Sequence, residues 1–254
     1  MKRSIVKSLI VGAMAAALAF ILCSCGIITV HIDTARKDSV AGSGTASNKV
    51  RNLDIEWVAG EINIVFDGVD EIRFEESAKE QLSDDAKMRY READGTLTIE
   101  YCKGKTVNNV PPKKLTLVLP NGYTFDHVEF EVVSTDVSLP DGFCANSLEL
   151  DSVSGNLASA GDAVLKDVEI KGISGNTVLS VEGMKSFEAE VVSGSVQLIL
   201  PEDTAFTAAV NSASGDFCTD FETNMNGKTY SHGSGGAVIE MNSVSGDLEI
   251  KAKK

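Results

Sequence analysis

Five serines in the second half of the chain each stand directly before a glycine: Ser154-Gly155, Ser174-Gly175, Ser193-Gly194, Ser214-Gly215 and Ser245-Gly246. A serine hydroxyl becomes a nucleophile only beside a base and an orienting acid. The histidines are His31, His127 and His232. His31 precedes a small-residue linker and His232 lies in a glycine-rich stretch, which leaves His127 in the body. Equivalent serines in equivalent settings are the wrong pattern for catalysis, which needs unlike groups converging once. Asn156, Asn176, Asp216 and Asp247 follow the glycines, and such a ladder of oxygens invites calcium. Calcium takes about six to eight oxygen ligands, and the glycine-rich nonapeptide of calcium-binding β-rolls is absent. Local turns by Asn and Asp explain the same pattern, so neither a metal nor a cofactor is expected. The acidic pairs Glu75-Glu76 and Asp84-Asp85 read as solvated stretches.

The N-terminal residues carry an address. Lys2, Arg3 and Lys7 lead into an apolar run from Leu9 to Leu22, the layout of a secretory signal peptide and too short for a comfortable membrane span. The run ends in Leu22-Cys23-Ser24-Cys25-Gly26. This resembles the lipobox of bacterial lipoproteins, with an aliphatic residue three positions before the cysteine and a small one directly before it. The resemblance implies that residues 1–24 are a signal peptide and that Cys25 receives a diacylglyceryl thioether. Buried acyl chains contribute about 0.8 kcal/mol per methylene, enough for two chains to hold the protein on the extracytoplasmic face of the cytoplasmic membrane.

Losing residues 1–24 removes three cations and no acid, which carries the formal charge from −14 to −17. Such a surface repels nucleic acid and anionic headgroups. Cys102, Cys144 and Cys218 remain. They lack the spacing of a zinc or redox motif and read as small buried hydrophobes, although an odd number in an exported chain also permits an intermolecular bridge.

The corner glycines Gly155, Gly175, Gly194, Gly215 and Gly246 are separated by 20, 19, 21 and 31 residues. Such a period reads as coils of an all-β solenoid, each paired to the coil before and after it. Residues 25–48 read as the lipidated N-terminus and a flexible linker around Ala41-Gly42-Ser43-Gly44, and residues 49–254 as one folded domain. Period-two runs such as Leu53, Ile55, Trp57 and Leu115, Leu117, Leu119 predict strands; Asp94-Gly95 and Pro120-Asn121-Gly122 predict turns, and Ser77 to Lys87 a short helix. Aligned on the glycines, Leu148, Val168, Phe187, Ala208 and Ile239 form one inward row and Leu150, Ile170, Ala189, Val210 and Met241 a second. The serines before the glycines fall on that same face and narrow it at the corner. The extra length before Gly246 is a loop through Asn224-Met225-Asn226-Gly227 and Ser231-His232-Gly233.

Trp57-Val58-Ala59-Gly60-Glu61-Ile62, Lys114-Leu115-Thr116-Leu117-Val118-Leu119-Pro120 and the Ser-Gly-Asn/Asp turns together resemble a bacterial domain-of-unknown-function family of adhesin-like proteins, related to the head domains of autotransporter-type adhesins. The resemblance covers roughly residues 50 to 252. It implies a β-solenoid without established catalytic residues. The expected function is a non-enzymatic binding or structural module of the bacterial cell envelope, whose partner is a cell-wall component or a membrane protein and not nucleic acid. The alternatives are a polysaccharide-active lyase or glycosidase and an accessory of envelope-stress sensing. Outward carboxylates beside an aromatic ring would favour the enzyme, and a uniform acidic face the module.

Overall fold

The computed structural model describes residues 29–30, 38–102, 107–108 and 111–253. The signal peptide, Cys25 and His31 lie outside them. No helix occurs among the described residues, and nearly every strand joins one continuous sheet that winds as a solenoid. A separate two-residue ribbon pairs Thr29–Val30 with Val107–Asn108.

Each middle coil is a long strand, a glycine corner and a second strand. Thr124–Leu139, Cys144–Ser154 and Leu157–Ser174 pair in parallel, with Phe130, Leu150 and Ile170 in register. The inner row continues from Ile170 to Ala189 and then to Met241, with Val210 last. Leu150, Ile170, Ala189 and Met241 are buried, and Val210 packs against them from a half-buried position. The second row, Leu148, Val168, Phe187, Ile239 and Ala208, is buried throughout. Beyond the corner, Leu157, Thr177, Val196 and Leu248 resume the buried face. Alternation places these side chains inward, and a one-residue slip would expose them all.

Sequence order is not stacking order at the two ends. Ala237–Ser245 lies between Ser186–Ser193 and Phe206–Ser212, so the last coil in the chain is inserted before the one that precedes it. The coil holding Asn52–Asp67 is likewise inserted, between Thr124–Leu139 on one side and Thr96–Glu100 with Lys113–Pro120 on the other. The expectation that every coil pairs with its sequence neighbours is therefore corrected at both ends. The inserted strand of the C-terminal end brings Ile239 and Met241, both fully buried, into the interior opposite Ala208 and half-buried Val210, while Phe206 fills the outermost coil opposite Ala237. An open sheet edge invites pairing with another chain, and terminal repeats are capped for that reason.

The connections that permit this insertion also supply the caps. At one end Thr229–His232 pairs antiparallel with Phe206–Ala209, and Asn224–Asn226 pairs with Thr229–His232. The expected loop is thus a hairpin turning at Gly227. At the other end Arg89–Ala93 covers Thr96–Glu100 and Ile72–Ala78 covers Lys113–Pro120, both antiparallel. The Asp94-Gly95 turn joins the first of these pairs, both residues having positive φ.

Two local expectations change here. Ser77 and Ala78 continue a strand opposite Lys114 and Lys113, and only a turn at residues 84–86 follows, so residues 77–87 form no helix. Ser83, Asp84 and Asp85 favour turns, and only Ala86 N–H and Lys87 N–H reach back to the Ser83 carbonyl. Within the expected linker, Val40–Ala41 pairs with Arg89–Tyr90 and Gly44–Ala46 with Ile72–Phe74. Backbone pairing to the cap orders this stretch, helped by Ala46, which is buried in the core, and by Ser43 Oγ, which accepts the Glu76 N–H.

Candidate functional site

The corner of the solenoid forms an open groove of about 460 Å³ lined by Ser134, Thr135, Asp136, Ser154, Gly155, Asn156, Ser174, Gly175, Asn176, Ser193 and Gly194, with Gly60 at its end. Glycine is required because the corners stack backbone on backbone. A Cβ on Gly175 would lie 1.8 Å from the Gly155 carbonyl oxygen, and φ is +137° there. Gly194 repeats the relation to Gly175; Gly246 then faces Gly194, and Gly215 faces Gly246. The expected structural glycines thus form one column in spatial order.

The serines of this column differ from expectation. Ser154, Ser174, Ser193, Ser214 and Ser245 are exposed instead of filling the inner face, because the wall opens into the groove one residue before the glycine. The Asn and Asp side chains join successive corners. Asp136 Oδ1 accepts the Asn156 backbone N–H at 2.9 Å, Asn156 Oδ1 accepts that of Asn176 at 3.0 Å, and Asn176 Oδ1 that of Ser195 at 3.1 Å. Asp247 Oδ1 accepts the Asp216 N–H at 2.8 Å. These oxygens are committed to backbone donors. Among the described residues no cluster of His, Cys, Asp and Glu is placed to hold a metal ion.

The outward face of the long strands is acidic. Asp54, Glu129, Glu149, Glu169, Glu188 and Glu240 form one row across the stack. Glu56, Glu131, Asp151, Lys171 and Glu190 form the next, where Lys171 is the one cation. Burial pushes the Glu129, Glu131 and Asp151 carboxyls upward, and neighbouring carboxylates add to the shift. For Lys171 burial acts downward, but hydrogen bonds to Glu169 and Glu149 outweigh it and hold the ammonium above its ordinary range. The contacts are 2.7 and 2.9 Å.

Sequence reasoning missed one constellation on this face. His127 Nδ1 lies 2.8 Å from Ser147 Oγ, and His127 Nε2 lies 3.8 Å from Glu129 Oε2. A serine, an imidazole and a carboxylate therefore meet, found by a 20-residue offset that the repeat spacing already contains. Their geometry is not that of an acyl-transfer site. The 3.8 Å separation is too long for a hydrogen bond that would orient the ring. The set lies on the outward face of a parallel ladder, where backbone N–H groups are paired with neighbouring strands and no pair of them is left to receive an oxyanion.

Aromatic side chains do not accompany the carboxylate rows. Trp57 and Tyr101 are buried in the cap, ring centroids 5.1 Å apart, and Tyr123 is buried with its hydroxyl bonded to the Val50 carbonyl. Cys102 is buried as expected, but Cys144 is half-buried and Cys218 exposed, which corrects the reading of all three as core residues. Cys218 sits on the outermost coil, where one side of the strand faces solvent. The three are not joined by disulfides.

Parallel coils around an aliphatic interior, glycine corners and antiparallel caps define a capped β-solenoid. The chain belongs to the Toastrack DUF4097 family, whose model matches residues 50–191 and again 180–251. No curated protein matches the chain. Among solved structures it is similar to a "putative cell adhesion protein" from Clostridium sporogenes ATCC 15579, with 14% identity and a TM-score of 0.49 over 85% of this chain and 100% of that one. It is also similar to a "putative adhesin" from Bacteroides fragilis NCTC 9343, with 15% identity and a TM-score of 0.35 over 86% of this chain and 98% of that one.

Proposed function

We propose that this protein is a lipoprotein anchored through Cys25 on the extracytoplasmic face of a bacterial cytoplasmic membrane, and that its solenoid is a non-enzymatic binding or structural module of the cell envelope. The observation that carries the module is the repetition of its polar groups. Serines, glycines and Asx side chains recur at equivalent corners, and the Asx oxygens named above are spent on rung-to-rung bonds. The carboxylate rows, with Lys171 as their one cation, carry no aromatic platform, which supports binding over sugar hydrolysis. The anchor rests on the Leu22-Cys23-Ser24-Cys25 pattern.

The test has two arms. Mass spectrometry of the membrane-extracted protein is expected to find a diacylglyceryl cysteine at position 25, and Cys25→Ala is expected to lose the modification. A mature chain beginning elsewhere overturns the anchor. Residues 26–254 incubated with peptidoglycan and envelope polysaccharides are expected to leave them intact. Turnover abolished by Ser147→Ala or Glu129→Gln with the fold preserved overturns the non-enzymatic reading.

A further inference from the structure

The recurring phrase Val-Ser-Gly has a member that neither the corner nor the core explains. Glycine permits the close backbone approach, but the aliphatic residue two positions before it points outward. The flanking registers place Val153, Ile173, Val192 and Val244 in one row, bracketed by Ser152–Gly172, Gly172–Val191 and Val191–Ser243 on one side and by the serines on the other. Val153 and Ile173 are half-buried, whereas Val192 is 47% and Val244 58% exposed. A polar residue would serve the solenoid equally well at such positions. The row instead borders the carboxylate rows through Asp151 and Glu190. Aliphatic rows rimmed by charge mark interaction surfaces.

We propose that this aliphatic row, with the carboxylates beside it, docks a basic amphipathic α-helix of a partner polypeptide. The proposal deepens the reading of the solenoid as a binding module and depends on it. Sign is set by the face: Asp151, Lys171, Glu190 and Asn242 stand directly beside the row and Glu149, Glu169, Glu188 and Glu240 beyond them, six carboxylates to one ammonium, so the partner carries Lys or Arg next to its apolar stripe. Secondary structure is set by spacing. Coils repeat at about 4.8 Å, a helix returns to the same face about every 5.4 Å, and an extended strand about every 6.7 Å. Over the three steps from Val153 to Val244 a helix drifts from the rungs by about 2 Å, which flexible side chains absorb, while a strand drifts by about 6 Å and loses register. Helical residues three and four apart supply the matching aliphatic contacts.

The probe is a synthetic peptide of about four helical turns with leucines on one face and lysines on the other; its comparator is a scrambled peptide of the same composition. Fluorescence anisotropy with residues 26–254 is expected to show the amphipathic peptide binding at least about tenfold more tightly, a difference of about 1.4 kcal/mol. Val192→Ser with Val244→Ser is expected to reduce it to the level of the scrambled peptide without shifting the melting temperature. Val178→Ser, on the second strand of its coil, is expected to change nothing. Equal affinity for the two peptides, or an unaffected double variant, overturns the helix-docking surface and leaves attraction by net charge alone. Loss of peptide binding while the anchored protein still captures an envelope component would sink this surface and leave the module reading intact.

Discussion

Lys113 Nζ lies 2.9 Å from Glu76 Oε2 inside the N-terminal cap, with the two side chains 0% and 7% exposed. The ammonium also donates to the carbonyls of Ala86 and Tyr101 and lies 3.9 Å from the Tyr101 ring centroid and 5.0 Å from that of Trp57. The Glu76 carboxylate accepts Met88 N–H. One charge pair thus ties the cap strand Ile72–Ala78, the connection after it and the outermost coil together. Burial pushes the Lys113 pKa down, and the hydrogen bond and charge of Glu76 oppose that shift.

Removing one partner leaves the other buried and unpaired. Lys113→Met is expected to destabilise the domain by about 3–5 kcal/mol in urea titrations. Lys113→Met with Glu76→Gln, which keeps an acceptor for Met88 N–H, is expected to recover a substantial part of that loss. A single-variant loss below about 0.5 kcal/mol, the range of ordinary surface changes, would show that the pair does not hold the cap.

The acidic face gives stability a defined dependence on pH. Glu129, Glu131 and Asp151 have carboxyl pKa values raised by burial and by neighbouring carboxylates, with Lys171 opposing the shift at Asp151. The native state therefore binds protons more tightly there than the unfolded chain, and this stabilising contribution is complete below the ordinary carboxylate range and lost as pH rises through the raised values. The melting temperature is expected to rise as pH falls from 7 towards about 5, the approach to the ordinary carboxylate range. Glu131→Gln is expected to raise it at pH 7 and flatten the profile. A melting temperature that falls steadily over that interval, with Glu131→Gln neutral or harmful, contradicts this account.

At the corner, conformation and space can be separated by two glycines. Gly142 has φ +75° with nothing near a Cβ, whereas Gly175 has φ +137° and a backbone oxygen at 1.8 Å. Gly142→Ala is expected to cost about 1–2 kcal/mol, the strain of a left-handed residue. Gly175→Ala adds displacement of the neighbouring coil and is expected to cost more than about 3 kcal/mol or prevent folding, above the usual range for single substitutions. Equal costs in thermal melts would mean that the corner backbones do not stack as closely as they do here.

The inner rows were legible because alternation and the glycine spacing determine together which residues share a face. Ile170→Ala, in the middle of a buried apolar row, is accordingly expected to lose about 2–5 kcal/mol on unfolding by denaturant. The buried lysine left a fainter trace: Lys113 precedes Leu115, Leu117 and Leu119 at period two, so its parity is inward although its residue type reads as surface. The row of Val153, Ile173, Val192 and Val244 was present in the repeated phrase, but its exposure depends on where the wall opens into the groove. The Ser147–His127 contact follows from the 20-residue coil, yet sequence alone does not say which coils are neighbours. That is also why the exchanged order of the end coils escaped detection. Parallel coils of similar length present nearly equivalent edges, and what distinguishes the outermost strands is that the antiparallel caps fall on them.

The exchange of order predicts a specific pattern of cross-links. Ser186 is directly paired with Val238, and Val238 with Thr207, so Ser186 and Thr207 are separated by an intervening strand. Neighbouring strands lie about 4.8 Å apart, within the Cα range of a disulfide, whereas two steps give about 9.6 Å, beyond the limit of about 7 Å. With Cys102, Cys144 and Cys218 replaced by alanine, Ser186→Cys with Val238→Cys is expected to form an intramolecular disulfide under mild oxidation. Ser186→Cys with Thr207→Cys is expected to remain reduced. Stacking in sequence order would reverse both outcomes, since Phe206–Ser212 would then lie against Ser186–Ser193. A gel-shift assay under non-reducing conditions separates the two arrangements, and efficient closure of the 186–207 pair would refute the inserted coil.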